Sequence, residues 1–394
     1  MQRILTFRLP FYWGTLFLGI TASDVESQQA RNVIEYSNPS AVQRLPESAL
    51  RFSLGGADGI EFHRVAAILP RQSGGFVVVN SGTSELLFFD QSGRLQSTVG
   101  RRGRGPGEYS SIRDAALLPG DSLAVFDPSA RRVSILSPEG VFVRSFALQA
   151  PFEGGGSLTR MVALRDGTVM VGYSEVHQMA PQPRAVYFGQ RLFRYSTSGE
   201  LRSPNGFALP ESEHFVQATL PSMGGVAYWD LAFGRMMTVR PDSTFVLVGD
   251  GTDWTVQLRT TEGTVLLTHH LRRPTFPVEA SDKNRYRDGA LAGSQGSQRQ
   301  VAERMVAEMP YPKKKPAFRR FETDGLGRLW IETYPEVSQT ESVWIRLDSH
   351  RRTATAVAFP RRFRALAFTG HLAFGVWRDP DDVEYVHIYR LDGL

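Results

Sequence analysis

At 394 residues, with 41% hydrophobic and 22% charged side chains, the chain is too apolar for a disordered polymer and long enough to bury a sizeable core. Cysteine is absent, which excludes disulfides, thiolate metal sites and a lipid-modified cysteine, and leaves the redox compartment open. The net charge of +5 is spread along the chain with no basic arm, so no nucleic-acid partner is expected.

The amino-terminal residues have the outline of a secretory signal. Arg3 and Arg8 flank the start of an apolar run over 11–20, and Thr21-Ala22-Ser23 gives a small-residue exit. The run is too short to span a bilayer as a helix. The reading is a signal over 1–22, a flexible leader over 23–46 and one folded domain over 47–394. No later segment resembles a membrane span, so the expected location is periplasmic or extracellular, with no transmembrane span after signal removal.

From residue 65 onward, six stretches repeat one another. Each has an apolar strand, a tight polar turn and a second apolar strand: VAAILPRQSGGFVVVN (65–80), DAALLPGDSLAVFD (114–127), MVALRDGTVMVGY (161–173), MMTVRPDSTFVLVGD (236–250), FETDGLGRLWIET (321–333) and ALAFTGHLAFGVW (365–377). The first three second strands begin near 76, 122 and 168, a pitch of about 46 residues that suits a four-stranded propeller blade. Third and fourth strands follow at 85–90 and 95–100, then at 132–137 and 141–148. Gly93, Gly140, Gly199 and Gly263 supply the tight turns within such pairs. The expected fold is all-β, a six-bladed β-propeller.

The last blade has a third strand at 383–391 and then runs out of chain. Residues 49–61 resemble 95–108 in pattern, so an amino-terminal strand is expected to complete the last blade and close the ring. Blade three carries a long insertion at 174–190 and a long link over 211–235. A lid-like insertion over 272–315 separates blades four and five. Its 298–309 part is expected to be helical, with Val301, Met305 and Met309 on one face.

The stretch Gly-Arg-Gly-Pro-Gly-Glu-Tyr (103–109), Val125-Phe126-Asp127 with Arg132-Val133, the run GLGRLW (325–330) and the closing EYVHIYRL (384–391) together resemble a family. It is that of the uncharacterised six-bladed propellers of bacteria, found in secreted or lipoprotein form and NHL-repeat-like in blade pattern. The resemblance covers the chain from about residue 47 onward. It implies the fold and no common activity. The absence of cysteine departs from the lipoprotein members.

One arginine stands at the start of each expected innermost strand: Arg64, Arg113, Arg160, Arg235, Arg320 and Arg364. A ring of guanidinium forks at the mouth of a propeller channel would suit carboxylate, phosphate or sulfate. The alternative is that each arginine bonds carbonyls of the neighbouring blade or a nearby acid. Asp127, Asp250 and Glu332 end second strands, and Asp253, Asp379, Asp381 and Asp382 follow in loops on the same face. The glycine-rich loop 100–107 either cradles an anion through its amides or turns the chain between blades. His63 lies beside the mouth. His269 and His270 are adjacent, so in a strand they point to opposite faces. Lys313, Lys314 and Lys315 read as an exposed, solvated run.

No HExxH, GxSxG or phosphate-binding loop is present. The sequence therefore points to a non-enzymatic module that binds an anionic ligand, a glycan or a protein segment on its loop-rich face, with no cofactor. Two alternatives stand beside it: a lactonase- or hydrolase-type propeller with an axial divalent ion such as Ca²⁺, and a scaffold partnered by an envelope protein.

Overall fold

The computed structural model describes residues 32–56, 59–149, 156–175, 184–220, 225–234, 237–334 and 341–393. The signal read over 1–22 lies outside them. Six sheets form, three from consecutive strands alone and three that also take in one amino-terminal strand. The chain first lays down β1 (Val33–Ser37), β2 (Val42–Arg44) and β3 (Leu50–Leu54). Blade 1 is β4–β7 (Val65–Pro70, Phe76–Asn80, Glu85–Phe89, Leu95–Val99), and blade 2 is β8–β11 (Asp114–Leu117, Leu123–Asp127, Arg132–Leu136, Phe142–Ala147). Blade 3 is β12–β16 (Ser157–Ala163, Val169–Glu175, Arg184–Tyr195, Phe207–Leu220, Gly225–Asp230), and blade 4 is β17–β20 (Thr238–Asp242, Phe245–Gly249, Thr255–Arg259, Val265–Arg272). Blade 5 is β21–β24 (Phe318–Thr323, Leu329–Thr333, Ser342–Asp348, Thr353–Phe359), and blade 6 is β25–β27 (Phe363–Phe368, Leu372–Arg378, Glu384–Arg390) joined by β3.

The innermost strands β4, β8, β12, β17, β21 and β25 each contact the next, and β25 contacts β4, so the ring is closed. The amino-terminal strand closes it as expected. β3 lies antiparallel on β27, with Ser53 opposite His387 and Leu54 opposite Val386. Closure removes the open edge that a three-stranded blade would present. The core is divided into six seams, one between each pair of neighbouring blades. Val77, Leu86 and Phe88 of blade 1 meet Leu123 and Val125 of blade 2, and Val65, Ile68 and Phe76 of blade 1 meet Phe374 and Val386 of blade 6.

Three elements differ from the sequence reading. Within the stretch 23–46, expected as a leader, β1 pairs parallel with β20 and β2 pairs parallel with β24. The amino-terminal segment thus runs along the rim from blade 4 to blade 6. These strands form because an existing sheet edge offers unpaired backbone groups, a cause that leaves almost no hydrophobic pattern; Tyr36 is the one fully buried side chain of β1. The link 211–235 includes the outer half of the β15–β16 hairpin, which makes blade 3 five-stranded. The insertion 272–315 carries two helices, α1 (Ala280–Leu291) and α2 (Gly296–Ala307), the second matching the expected amphipathic segment. Met305 and Met309 pack on Leu231 and Ala232 of the link between blades 3 and 4.

Candidate functional site in the axial channel

In each blade the innermost strand starts at the face where the previous blade ends. The links between blades, the loops after second strands and the helical insertion therefore share one face. The channel behind it is a cavity of about 470 Å³, lined by innermost-strand residues from all six blades. Its charged lining is Arg113, Asp114, Arg240, Arg320, Glu322 and Arg364.

The arginines at the strand starts act as clasps between blades. Arg113 of blade 2 donates from Nη1 to the Thr159 carbonyl of blade 3 (3.4 Å). Arg160 of blade 3 donates to the Met237 carbonyl ahead of blade 4 (3.0 Å). Arg320 of blade 5 donates to the Ala365 carbonyl of blade 6 (2.5 Å), and Arg364 of blade 6 to the Val65 carbonyl of blade 1 (2.9 Å). The same geometry recurs because each arginine sits at an equivalent strand position beside an equivalent neighbour. Such a bond from a charged donor is worth about 1.5–3 kcal/mol net. One carbonyl uses one of the five N–H donors of a guanidinium, so the remaining donors are available to other acceptors.

Three members of the expected ring fall away, and Arg160 is one of them: blade 3 lines the channel with Met161, Val162 and Ala163. Arg64 does not line the channel; it stands in the link, exposed, with a left-handed φ of 54°. Arg235 lies outside the described residues. In blade 4 the channel arginine is instead Arg240, inside β17. It forks onto Glu322 of blade 5 through Nε (2.5 Å) and Nη2 (2.6 Å). Arg240 was visible in the sequence as the only basic residue within the fourth repeat's TVRPD strand, five positions after the arginine chosen there.

The electrostatics are uneven around the ring. Arg320 also holds Glu332 (2.7 Å). Arg113, Arg160 and Arg364 have no carboxylate within 4 Å among the described residues, and they come from blades 2, 3 and 6. Burial, with a smaller push from the Arg240 guanidinium, draws Arg160 down to about 10, which leaves it a cation at neutral pH. Arg364 is lowered too, by burial first and then by the Arg320 charge. Asp114 is pushed up to about 6 by burial, against the opposing pull of Arg240.

The other acids hold backbone. Asp127 accepts from the Ser110 and Ala130 amides (2.7 and 2.9 Å), and Asn80 accepts from the His63 amide (2.7 Å), so the same second-strand position latches the preceding link in blades 1 and 2. Asp250 closes its own turn on Thr252. Asp379 accepts from the Asp381 and Val383 amides, and Asp382 pairs with Arg378. Loop 100–107 does gather amides around an anion, and that anion is the chain's own Glu108. Its carboxylate accepts from Gly105 (2.9 Å) and Arg104 (3.1 Å) and pairs with Arg101, and the Gly105 amide is the main reason it stays below the usual carboxylate range. His269 and His270 diverge as expected, one bonded to Tyr36 (2.9 Å) and the other to Glu35 (3.1 Å). Lys315 departs from the solvated run: it is buried and pairs with buried Asp282 at 2.9 Å.

Among the described residues no three His, Asp or Glu side chains gather where they would hold a metal ion. Of the channel carboxylates, Glu322 has both oxygens on Arg240, so this donor set does not fit the axial divalent ion of the hydrolase alternative. Among the described residues no helix is long and apolar enough to cross a membrane.

A family model described as a 6-bladed beta-propeller matches residues 53–133. A protein of Bacteroides fragilis described as exported is similar over 91% of this chain and 99% of its own, at 12% identity and a TM-score of 0.51. A member of the DUF4221 family from Bacteroides vulgatus is similar over 88% and 95%, at 10% identity and a TM-score of 0.50. No curated protein matches the chain. At these identities the likeness is one of fold, and it bears out the resemblance to uncharacterised six-bladed propellers.

Proposed function

We propose that this six-bladed β-propeller is a secreted, non-enzymatic binding module that takes an anionic ligand into its axial channel from the loop-rich face. The observation that carries the reading is the surplus of guanidinium at the mouth. Arg113 and Arg364 line the channel, each spends a donor on a neighbouring carbonyl, and neither has a carboxylate within 4 Å among the described residues. Fixed guanidinium forks in a partly desolvated channel favour carboxylate, phosphate or sulfate groups. For the envelope-scaffold alternative the outer strands offer, among the described residues, exposed Val33 on blade 4, Val42 on blade 5 and Val141 and Val143 on blade 2, side chains spread over three blades where a docking site is marked by a contiguous patch of a few hundred Å².

The test is a thermal-shift series with inorganic phosphate, a uronic acid, a sulfated sugar and Ca²⁺. Binding to the native state raises the melting temperature. At least one anion should do so, the effect should shrink as salt rises, and Arg113→Gln with Arg364→Gln should remove it. A response to Ca²⁺ alone, or to none of the four, overturns the reading.

A further inference from the structure

Along blades 6, 1 and 2 the channel carries charged side chains near one mouth and leucines deeper in. Arg113 and Arg364 come from blades 2 and 6, which flank blade 1. The same three blades contribute Leu69, Leu117 and Leu366 to the lining, and all three leucines are only partly buried. Leu117 lies four residues beyond Arg113, toward the opposite face, so about 13 Å of strand separates cation from leucine at roughly 3.3 Å per residue. Leu69 stands equally far beyond Val65, whose carbonyl Arg364 holds. The Arg240–Glu322 pair belongs to blades 4 and 5, across the ring from this wall. This side of the channel therefore carries Arg364, whose guanidinium reaches over blade 1, Arg113, whose guanidinium reaches to blade 3, the carboxyl of Asp114 and a strip of leucine, in a cavity of a size that takes small organic ligands.

From this juxtaposition, and resting on the anion-binding reading above, we infer that the ligand is an amphiphilic anion: an extended apolar chain ending in a carboxylate. The carboxylate sits on Arg113 and Arg364, and the chain runs down blades 6, 1 and 2 past Leu366, Leu69 and Leu117. A small, fully hydrated anion would satisfy the mouth and leave the leucine strip in water. A chain of about 13 Å removes both from water at once.

Calorimetric titration of the full chain with acetate, hexanoate and decanoate, each below its micelle concentration, tests this. Decanoate should bind at least about tenfold more tightly than hexanoate, and acetate most weakly. Leu117→Asn should bring decanoate down to the hexanoate level and leave acetate unchanged. Leu69→Asn repeats the test should Leu117→Asn fail to fold. Arg113→Gln with Arg364→Gln should weaken all three. Equal affinity for the three acids, lost in the double arginine variant, overturns the amphiphile and leaves the anion site standing. Chain-length dependence that survives the arginine changes overturns the anion site. Failure of all three to bind overturns the amphiphile, and the thermal series with phosphate and sulfated sugar then decides the anion site separately.

Discussion

A guanidinium that clasps a carbonyl of the next blade does two things at once. It helps hold the ring, and it presents its remaining donors at a position fixed by the fold. The sequence displayed these arginines because they recur with the repeat, and hid their partners because a carbonyl acceptor has no residue identity. Two buried histidines carry a second, separable effect. His269 bonds the Tyr36 hydroxyl, and His387 lies between Ser53 and Tyr389. Burial pushes each down to about 4, against about 6.5 in an unfolded chain. Between pH 6.5 and 4 the unfolded state therefore takes up protons that the folded state refuses. Stability falls as pH falls through that window, by about 1.4 kcal/mol per pH unit for each histidine. Asp114 runs the other way: its folded value of about 6 lies above the unfolded one, so its contribution is full below about 4 and is lost as pH rises through 6. The three together leave roughly one histidine's slope. Urea unfolding at pH 4.5, 5.5 and 6.5 should show that slope, flattened in His269→Gln and steepened in Asp114→Asn. A parent flat across the window, or a His269→Gln slope equal to the parent's, contradicts the assignment.

Elements were legible in proportion to how much their own side chains determine them. The strands of the repeats and their pitch follow from short apolar runs buried on both faces and from turn glycines, and the closing strand β3 from its period-two burial. Gly140 shows the turn logic: φ is 86°, and a Cβ there would stand 2.8 Å from Val99 and 2.9 Å from Phe88 of blade 1. β1 and β2 were not legible, because β1 buries little and β2 nothing, and both exist by pairing with an edge made elsewhere. α1 was missed for a related reason. Its sequence ASDKNRYRDGAL has no apolar stripe, and its one buried residue is Asp282. That carboxylate accepts the Glu279 amide (2.9 Å) and pairs with Lys315 (2.9 Å), so one acid starts the helix and ties it to the returning strand. A lysine run gives no hint that its last member is buried. Replacing one partner of a buried pair strands the other and typically costs 3–5 kcal/mol. In Lys315→Met the cost should be local, since the pair belongs to the insertion and lies outside the six seams. Limited proteolysis should cut within 280–307 at least tenfold faster than in the parent, with the far-UV spectrum and ring melting temperature little changed. A global loss of structure, or unchanged cleavage, places the pair's role elsewhere.

The whole molecule has no central core. Apart from the cluster under α2, the buried apolar side chains of the described residues lie in six seams, each shared by two blades, around a channel that stays partly charged. No blade can keep its packing once a neighbour leaves, and each seam lost exposes the next. The ring should therefore unfold as one unit although it is built from repeats, which distinguishes it from an open solenoid where repeats add almost independently. The seam between blades 6 and 1 is the sensitive place to ask, because it depends on β3, a strand from the opposite end of the chain. Leu54 is buried there against Phe62, Val65 and Val386. Leu54→Ala removes that packing at a cost of about 2–4 kcal/mol, whereas Val143→Ala, on an exposed rim residue, should cost under about 0.5 kcal/mol. The tryptophans report from other seams: Trp254 between blades 4 and 5, Trp330 and Trp344 between blades 5 and 6. If closure makes the ring cooperative, denaturant melts of Leu54→Ala followed by tryptophan fluorescence and by far-UV dichroism should share one midpoint, lowered equally in both. A tryptophan transition that stays at the parental midpoint while the dichroism shows an earlier step would mean that the blades stand alone, and that β3 closes a shape without coupling its parts.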